Sequence, residues 1–312
     1  MSVPTIKRKF GPHPDDPHAN QLDKVGGRGR VLRVWQTAYL SSVGKHIQFM
    51  QFGKAGLRPL IWLNSIDYPM SAPWGFCVDA SDAGFNVISV RRPGFGESSP
   101  AESIDEELNI LSAFLSEGQI ENAVLIVEGT SRPAGLRLAL EDPRITYTLL
   151  VRPGYVAESF GDVDPWLRDL ILQTMKTRAG ASFSLGALAQ IGRRAGHTWL
   201  YENFLKVESD THFVRSNARD ISEAWECLCA LKAETFRREL RSLEPDPTLV
   251  PGYLEGLRGL AVIGADTPAV WRDGFLRKSE GLGIQTAFLP DGSLFAAYRN
   301  GDALLEIITE RA

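Results

Sequence analysis

The stretch VLIVEGTSRPAGLRLALEDPRI, residues 124–145, runs from an apolar segment through a turn of small residues into a helical pattern. A turn of this kind can present a nucleophilic serine at the tip of a tight strand-to-helix bend, provided glycines let the backbone approach closely. Ser131 follows Gly129 and Thr130 in that turn, but Pro133 stands where the second glycine belongs. A serine nucleophile also needs a base. The five histidines are His13, His18, His46, His197 and His212, and none lies beyond position 212. The active constellation open to this chain is therefore Ser131 served by His197 or His212, with Asp266 of GADTP as the orienting acid. Against it stand plainer roles. Ser131 suits the first turn of a helix, Asp266 suits a helix N-cap before Pro268, and the two histidines suit surface or packing positions.

Arginines offer a second kind of chemistry. Arg91, Arg132 and Arg152 each follow, or nearly follow, the C-terminal end of an expected central strand. That is the edge where open parallel sheets bind ligands. The helix after Gly129 points its N-terminus there, which suits an anion. Three guanidiniums and a helix N-terminus favour a carboxylate or a phosphate. The candidate ligand set is Asn64, Ser65, Arg91, Glu128, Gly129, Thr130, Arg132 and Arg152. The alternative is a structural network in which the arginines pair with Glu128 and other acids.

Strands and helices that position these residues alternate along the chain. VLRVWQTAYL and KHIQFMQFG read as an antiparallel pair. PLIWLN, FNVISV, AVLIV and ITYTLLV read as buried strands, with helices around residues 74–83, from Ser103, and over 130–142. Ser103 with Glu106 forms a capping box, and Ile104, Leu108, Leu111 and Leu115 share one helical face. This rhythm predicts a mostly parallel sheet covered on both faces. From about 155 to 250 the strand signal disappears. Trp166, Leu170 and Ile171, then Trp199 and Phe204, then Trp225, Leu228 and Leu231 recur at helical spacing. GLAVIG and IQTAFL resume the sheet, a helix follows Pro268, and DALLEIITE closes the chain.

Composition sets outer bounds. The chain has 312 residues, 44% hydrophobic and 23% charged, with a formal net charge of -4. These values fit a globular protein and argue against a dedicated binder of nucleic acid or of an anionic membrane surface. The start lacks an apolar signal segment, no run is long enough to span a bilayer, and a cytoplasmic location is the default expectation. Cys77, Cys227 and Cys229 are too few and too irregular for a disulfide framework. His13, Asp15, Asp16 and His18 cluster in PHPDDPH, but prolines interrupt them and a distant third ligand is lacking. Neither a metal nor a cofactor is expected. A homodimer stays open.

GFNVISVRRPGFGESS (84–99) resembles the segment of α/β-hydrolase-fold proteins that carries a Gly-Phe-Gly turn, and LRLALEDPRI resembles the helix after their nucleophile. The order of elements resembles theirs as well. This resemblance implies an α/β-hydrolase fold: a mostly parallel central sheet flanked by helices, with a helical cap insertion. The core is expected over 29–154 and 251–312, the cap over 155–250, and a tail or loosely docked arm over 1–28.

The resemblance also implies a serine elbow, a late histidine, an acid, and two backbone N–H groups for an oxyanion, one after the nucleophile and one near a His-Gly. Counted without gaps from Pro143 and from Glu121-Asn122, the nucleophile position falls on Gly129, and Ser131 falls on the following glycine position. Gly292-Ser293 replaces the family's Gly-His, Asn64-Ser65 its His-Gly, Arg91 the aspartate before the turn, and Thr267 the acid, with Asp266 one residue early. The expectation is a protein of this fold that has lost hydrolase chemistry and binds a small ligand, with an anion as the candidate, or a partner protein. An active serine hydrolase built on Ser131 and a regulatory or scaffold module are the alternatives.

Overall fold

The computed structural model describes residues 34–54, 56–66, 69–153, 173–204, 207–242 and 246–312. The expected tail over 1–28 and the helical positions Trp166, Leu170 and Ile171 lie outside the described residues. Eight strands form one sheet: β1 (Gln36–Leu40), β2 (Lys45–Phe52), β3 (Arg58–Leu63), β4 (Phe85–Arg91), β5 (Ala123–Glu128), β6 (Ile145–Val151), β7 (Gly259–Gly264) and β8 (Thr286–Leu289). Their order is β1-β2-β4-β3-β5-β6-β7-β8. β1 and β2 pair antiparallel, β2 joins β4 antiparallel, and every later pairing is parallel. The reason is compositional. β3 to β7 are short apolar runs that can be buried on both faces, which a parallel sheet under helices requires.

Helices α1 (Trp74–Asp82), α2 (Ile104–Glu117) and α3 (Arg132–Glu141) follow β3, β4 and β5; α9 (Ala269–Leu282) follows β7; and α10 (Ala296–Arg299) and α11 (Gly301–Arg311) follow β8. α2, α3 and α9 bury Leu111, Leu136 and Phe275 against Ile61, Leu125 and Ala261 on one sheet face. α1 and α11 bury Phe76 and Ile308 against Trp62, Val124 and Leu260 on the other. Between β6 and β7 the described chain is helical: α4 (Arg178–Ala195), α5 (Trp199–Phe204), α6 (Glu208–Ser216), α7 (Ala218–Cys229) and α8 (Ala233–Arg241). Trp225, Phe213 and Tyr201 from this insertion pack with Phe295 and Tyr298 of the core. Among the described residues, no helix is long and apolar enough to cross a membrane.

Two local expectations need correction. Ser103 caps α2, accepting from the Glu106 N–H at 3.1 Å, but the reciprocal arm slips by one residue. The Glu106 carboxylate accepts from the Glu102 N–H at 2.7 Å and pairs with Lys45, so the lysine draws it away from the Ser103 backbone. The short helix α10 was not expected, because four residues are too few to show a helical period.

The β5–α3 junction positions the candidate site. Gly129 occupies its tip with φ +45°, in the left-handed region that glycine enters without a Cβ penalty. Residues 129–131 form a 3-10 turn, and α3 begins at Arg132. One turn along, Gly135 lets α3 lie directly on β5: a Cβ there would meet Val127 Cγ1 at 2.7 Å. Gly135→Ala therefore overpacks this crossing and should cost about 1–3 kcal/mol of stability in urea denaturation. Trimming the neighbour in Gly135→Ala/Val127→Ala should restore part of the overpacking loss, read as a favourable coupling in a double-mutant cycle.

Candidate functional site

Ser131 is not at the tip of the turn. It is fully buried, and its Oγ accepts from the Glu128 N–H at 2.9 Å while facing the Glu128 and Leu63 carbonyls at 2.8 and 3.1 Å. One hydroxyl proton serves those two acceptors. In return, the Ser131 N–H donates to the Glu128 carboxylate, so the pair forms a capping box that closes the turn. Glu128 also accepts from Trp62 Nε1 at 3.0 Å and from the Tyr298 hydroxyl at 2.9 Å.

The neighbouring N–H groups are occupied too. Thr130 N–H donates to Ser65 Oγ at 3.1 Å, and Ile66 N–H donates to Thr130 Oγ1 at 3.0 Å. The two hydroxyls lie 3.3 Å apart. These are the backbone donors where the resemblance puts an oxyanion site. Two short side chains crossing between β3 and the elbow satisfy them internally. The expected unpaired N–H groups at this helix start are therefore already bonded.

A residue that sequence reasoning passed over organises the space above. Arg92 is 1% exposed and lies next to Arg91, which the sequence reading had favoured. Its Nε donates to the Asn64 carbonyl at 3.0 Å, one Nη to Glu107 at 3.0 Å, and the other to Thr130 Oγ1 at 3.1 Å and to Glu239. Arg238, beside Glu239 on α8, reaches Glu107 at 3.3 Å and the carbonyls of Pro93 and Ala101. The result is a buried ring of two arginines and two glutamates joining the β4 turn, α2 and the insertion. Burial opposes charge on Arg92, but Glu239 and Glu107 raise its pKa above the ordinary value. Burial likewise opposes charge on Glu239, and Arg92 and Arg238 outweigh it and lower its pKa. The alternation of a strand end was the available signal, since consecutive arginines must point to opposite sides.

The loops expected to hold an acid and a base are tied to the insertion as well. Asp210 of α6 is 1% exposed and accepts from the N–H groups of Ser293, Leu294 and Phe295 at 3.1, 2.7 and 3.1 Å. Asp266 accepts from Ser209 Oγ at 2.7 Å and from the Gly292 N–H at 2.8 Å. Among the described residues, neither His197 nor His212 makes a hydrogen bond or ion pair with Ser131 or Asp266. His197 sits 4.0 Å from Glu226, and His212 is 3.5 Å from Ser216 Oγ.

Among the proposed ligand residues, the structure brings together Asn64, Ser65, Glu128, Gly129 and Thr130, all at the elbow. Arg91 and Arg132 reach partners outside that group. Arg91 donates to Gln48 and Glu223, each at 2.8 Å, and stacks on Trp35 at 4.0 Å. Arg132 donates to the Ser242 carbonyl at 3.0 Å and lies 3.8 Å from Asp246. Arg152 follows β6 with φ +41°, a conformation unusual for a residue with a Cβ. β4 and α3 carry the Arg91 and Arg132 guanidiniums toward different acids, Glu223 of the insertion and Asp246 of the chain that follows it. Among the described residues, no group of three or more His, Cys, Asp or Glu side chains could hold a metal ion.

No family model and no curated protein matches the chain. Solved structures do. A bromoperoxidase from Bacillus anthracis has a TM-score of 0.62 at 15% identity, covering 89% of this chain and 100% of that one. The enol-lactonase from Burkholderia xenovorans LB400 has 0.59 at 15%, covering 88% and 98%. A malate-bound thermophilic esterase from Thermogutta terrifontis has 0.57 at 15%, covering 89% and 97%. The protein has the α/β-hydrolase fold.

Glu239→Gln leaves two buried guanidiniums facing one carboxylate and should cost about 3–5 kcal/mol in urea denaturation. The pH dependence follows from the same pair. Because folding lowers the Glu239 pKa, its stabilisation is present above the ordinary carboxylate value and is lost as pH falls through the folded value. Melting temperature should drop on acidification below that ordinary value, with a shallower slope in Glu239→Gln.

Proposed function

We propose that this α/β-hydrolase-fold protein works by binding rather than by hydrolysis, with the helical insertion acting as a cap held over a degenerate elbow. One observation carries the reading: the elbow tip is Gly129, and the N–H groups around it are bonded to Ser65, Thr130 and Glu128 side chains. A nucleophile at Ser131 needs its hydroxyl turned toward a substrate and a base, whereas its bonds point into the turn and to β3. An oxyanion needs donors aimed at the charge that develops, and these donors are engaged in the ground state.

The bound partner is a small molecule or another protein. A carboxylate or phosphate finds less support than the sequence alone suggested, because Arg91 and Arg132 are engaged by Glu223 and Asp246. The competing reading, an active esterase-like enzyme using Ser131 with Asp266 and His197 or His212, takes its support from the similar structures of an esterase and an enol-lactonase. Labelling decides between the two. The purified protein should neither react with a fluorophosphonate probe nor cleave short p-nitrophenyl esters above background. Labelling that vanishes in Ser131→Ala would establish the enzyme instead.

A further inference from the structure

The N-terminal edge of the parallel strands, opposite the elbow, carries a concentration of arginine. Arg58 opens β3, Arg258 immediately precedes β7, and Tyr147 lies between them near the start of β6. Strand alternation puts the three on one face: Leu60, Leu149 and Leu260, two residues on from each, share one apolar cluster with Tyr147. That face is the one α1 and α11 cover, and both helices end at this edge. The Gly84 carbonyl just after α1 accepts from the Arg58 N–H at 3.1 Å. Arg311, at the end of α11, donates to Gln285 Oε1 at 3.3 Å just before β8.

Register brings the arginines together. The Arg58 side chain passes the start of β5 and reaches β6, donating through Nε to the Asn122 carbonyl at 3.0 Å and through Nη2 to Thr146 Oγ1 at 2.9 Å. Its Nη1 donors stay free of protein partners. The Arg258 carbonyl accepts from the Thr148 N–H at 2.9 Å, and Thr148 aligns with Gly259, so Arg258 stands beside Tyr147.

No acid balances them. Among the described residues, Arg58, Arg258 and Arg311 make no ion pair. Burial and Arg258 lower the pKa of Arg58, while burial pushes the Tyr147 hydroxyl up and Arg311 and Arg258 pull it back. No carboxylate of the described residues acts on either group. The ends of α1 and α11 contribute roughly half a negative charge each, about one in total against three guanidiniums. Tyr147 is 5% exposed with its ring in the core, and its hydroxyl remains accessible and makes no hydrogen bond among the described residues.

We propose that this edge binds a soluble phosphate group, free or carried by a small phosphomonoester. Arg58 and Arg258 hold its oxygens, Tyr147 donates between them, and Arg311 closes the side toward β8. Donors arriving from several strands match the three peripheral oxygens and second negative charge of a phosphate better than the two oxygens of a carboxylate. The site shares no residue with the elbow or with the anion set expected there, so it does not depend on what the elbow does.

Isothermal titration of the full chain with sodium phosphate at neutral pH, with ionic strength held constant by sodium chloride, tests this. Saturable binding is expected, weakening as total salt rises. Arg258→Gln, an exposed side chain with no bond to lose, should weaken it about tenfold. Tyr147→Phe keeps the ring and should weaken it severalfold. Arg58→Gln should behave like Arg258→Gln; if it fails to fold by circular dichroism, the other two variants decide. Arg272→Gln, paired with Asp273 on α9, should leave the affinity unchanged. Absence of saturable binding, or affinity indifferent to Arg258→Gln and Tyr147→Phe, overturns the proposal. So does cosedimentation with phosphatidylcholine vesicles containing phosphatidic acid when free phosphate does not bind, because the partner is then a lipid surface.

Discussion

The ion pair between Arg92 and Glu239 is the contact on which the region above the sheet depends. Both partners are almost completely buried, and an isolated charge in that setting costs several kcal/mol. Each is therefore retained only with the other in place, and the geometry leaves little freedom. Arg92 rises from the end of β4, Glu239 descends from the insertion, and Glu107 and Arg238 complete the ring. Because Arg92 also donates to Thr130 and to the Asn64 carbonyl, the pair links insertion, β3 loop and elbow into one hydrogen-bonded unit. Gly94, in the turn after Arg92, shows how closely the layers meet: a Cβ there would lie 2.4 Å from Thr235 Oγ1 of α8.

Beneath that ring the elbow is self-satisfied. Serine and threonine side chains are short enough to bond backbone groups a few residues away or across a narrow gap. Ser131 does the first with Glu128, and Ser65 and Thr130 do the second across the gap between the β3 loop and the turn. A turn built this way needs no bound anion to satisfy its donors. The far end of the insertion is fastened by the same logic, where Asp210 takes three consecutive N–H groups of the loop after β8. The insertion is thus held by ionic contacts at Arg92 and Arg91 and by backbone-directed ones at Asp210.

This arrangement gives the binding reading its physical content. Donors and hydroxyls that could act on a substrate are engaged in holding the fold, while the open space lies to one side, where α1, α7 and α11 begin. Tyr298 lines that space, and its hydroxyl bonds Glu128.

Much of the fold was legible in the chain because it rests on local patterns. Apolar runs marked β3 to β7, the Ser103 cap marked the start of α2, and the spacing around Pro143 put Gly129 at the bend, where its φ is positive. The site was legible at the turn itself, where Ser65, Glu128, Gly129 and Thr130 meet, because turn chemistry is local. Sequence reasoning chose Arg91, but Arg92 is the buried partner, because strand-end geometry determines which of two adjacent side chains faces inward. It gathered three arginines above one sheet edge, yet Glu223 and Asp246, distant in the chain, draw two of them away. Periodicity and turn chemistry act over a few residues and can be read in order along the sequence. Which charge meets which depends on how the insertion settles on the sheet, and that is decided by burial and desolvation across separations of more than a hundred residues, as between Arg92 and Glu239.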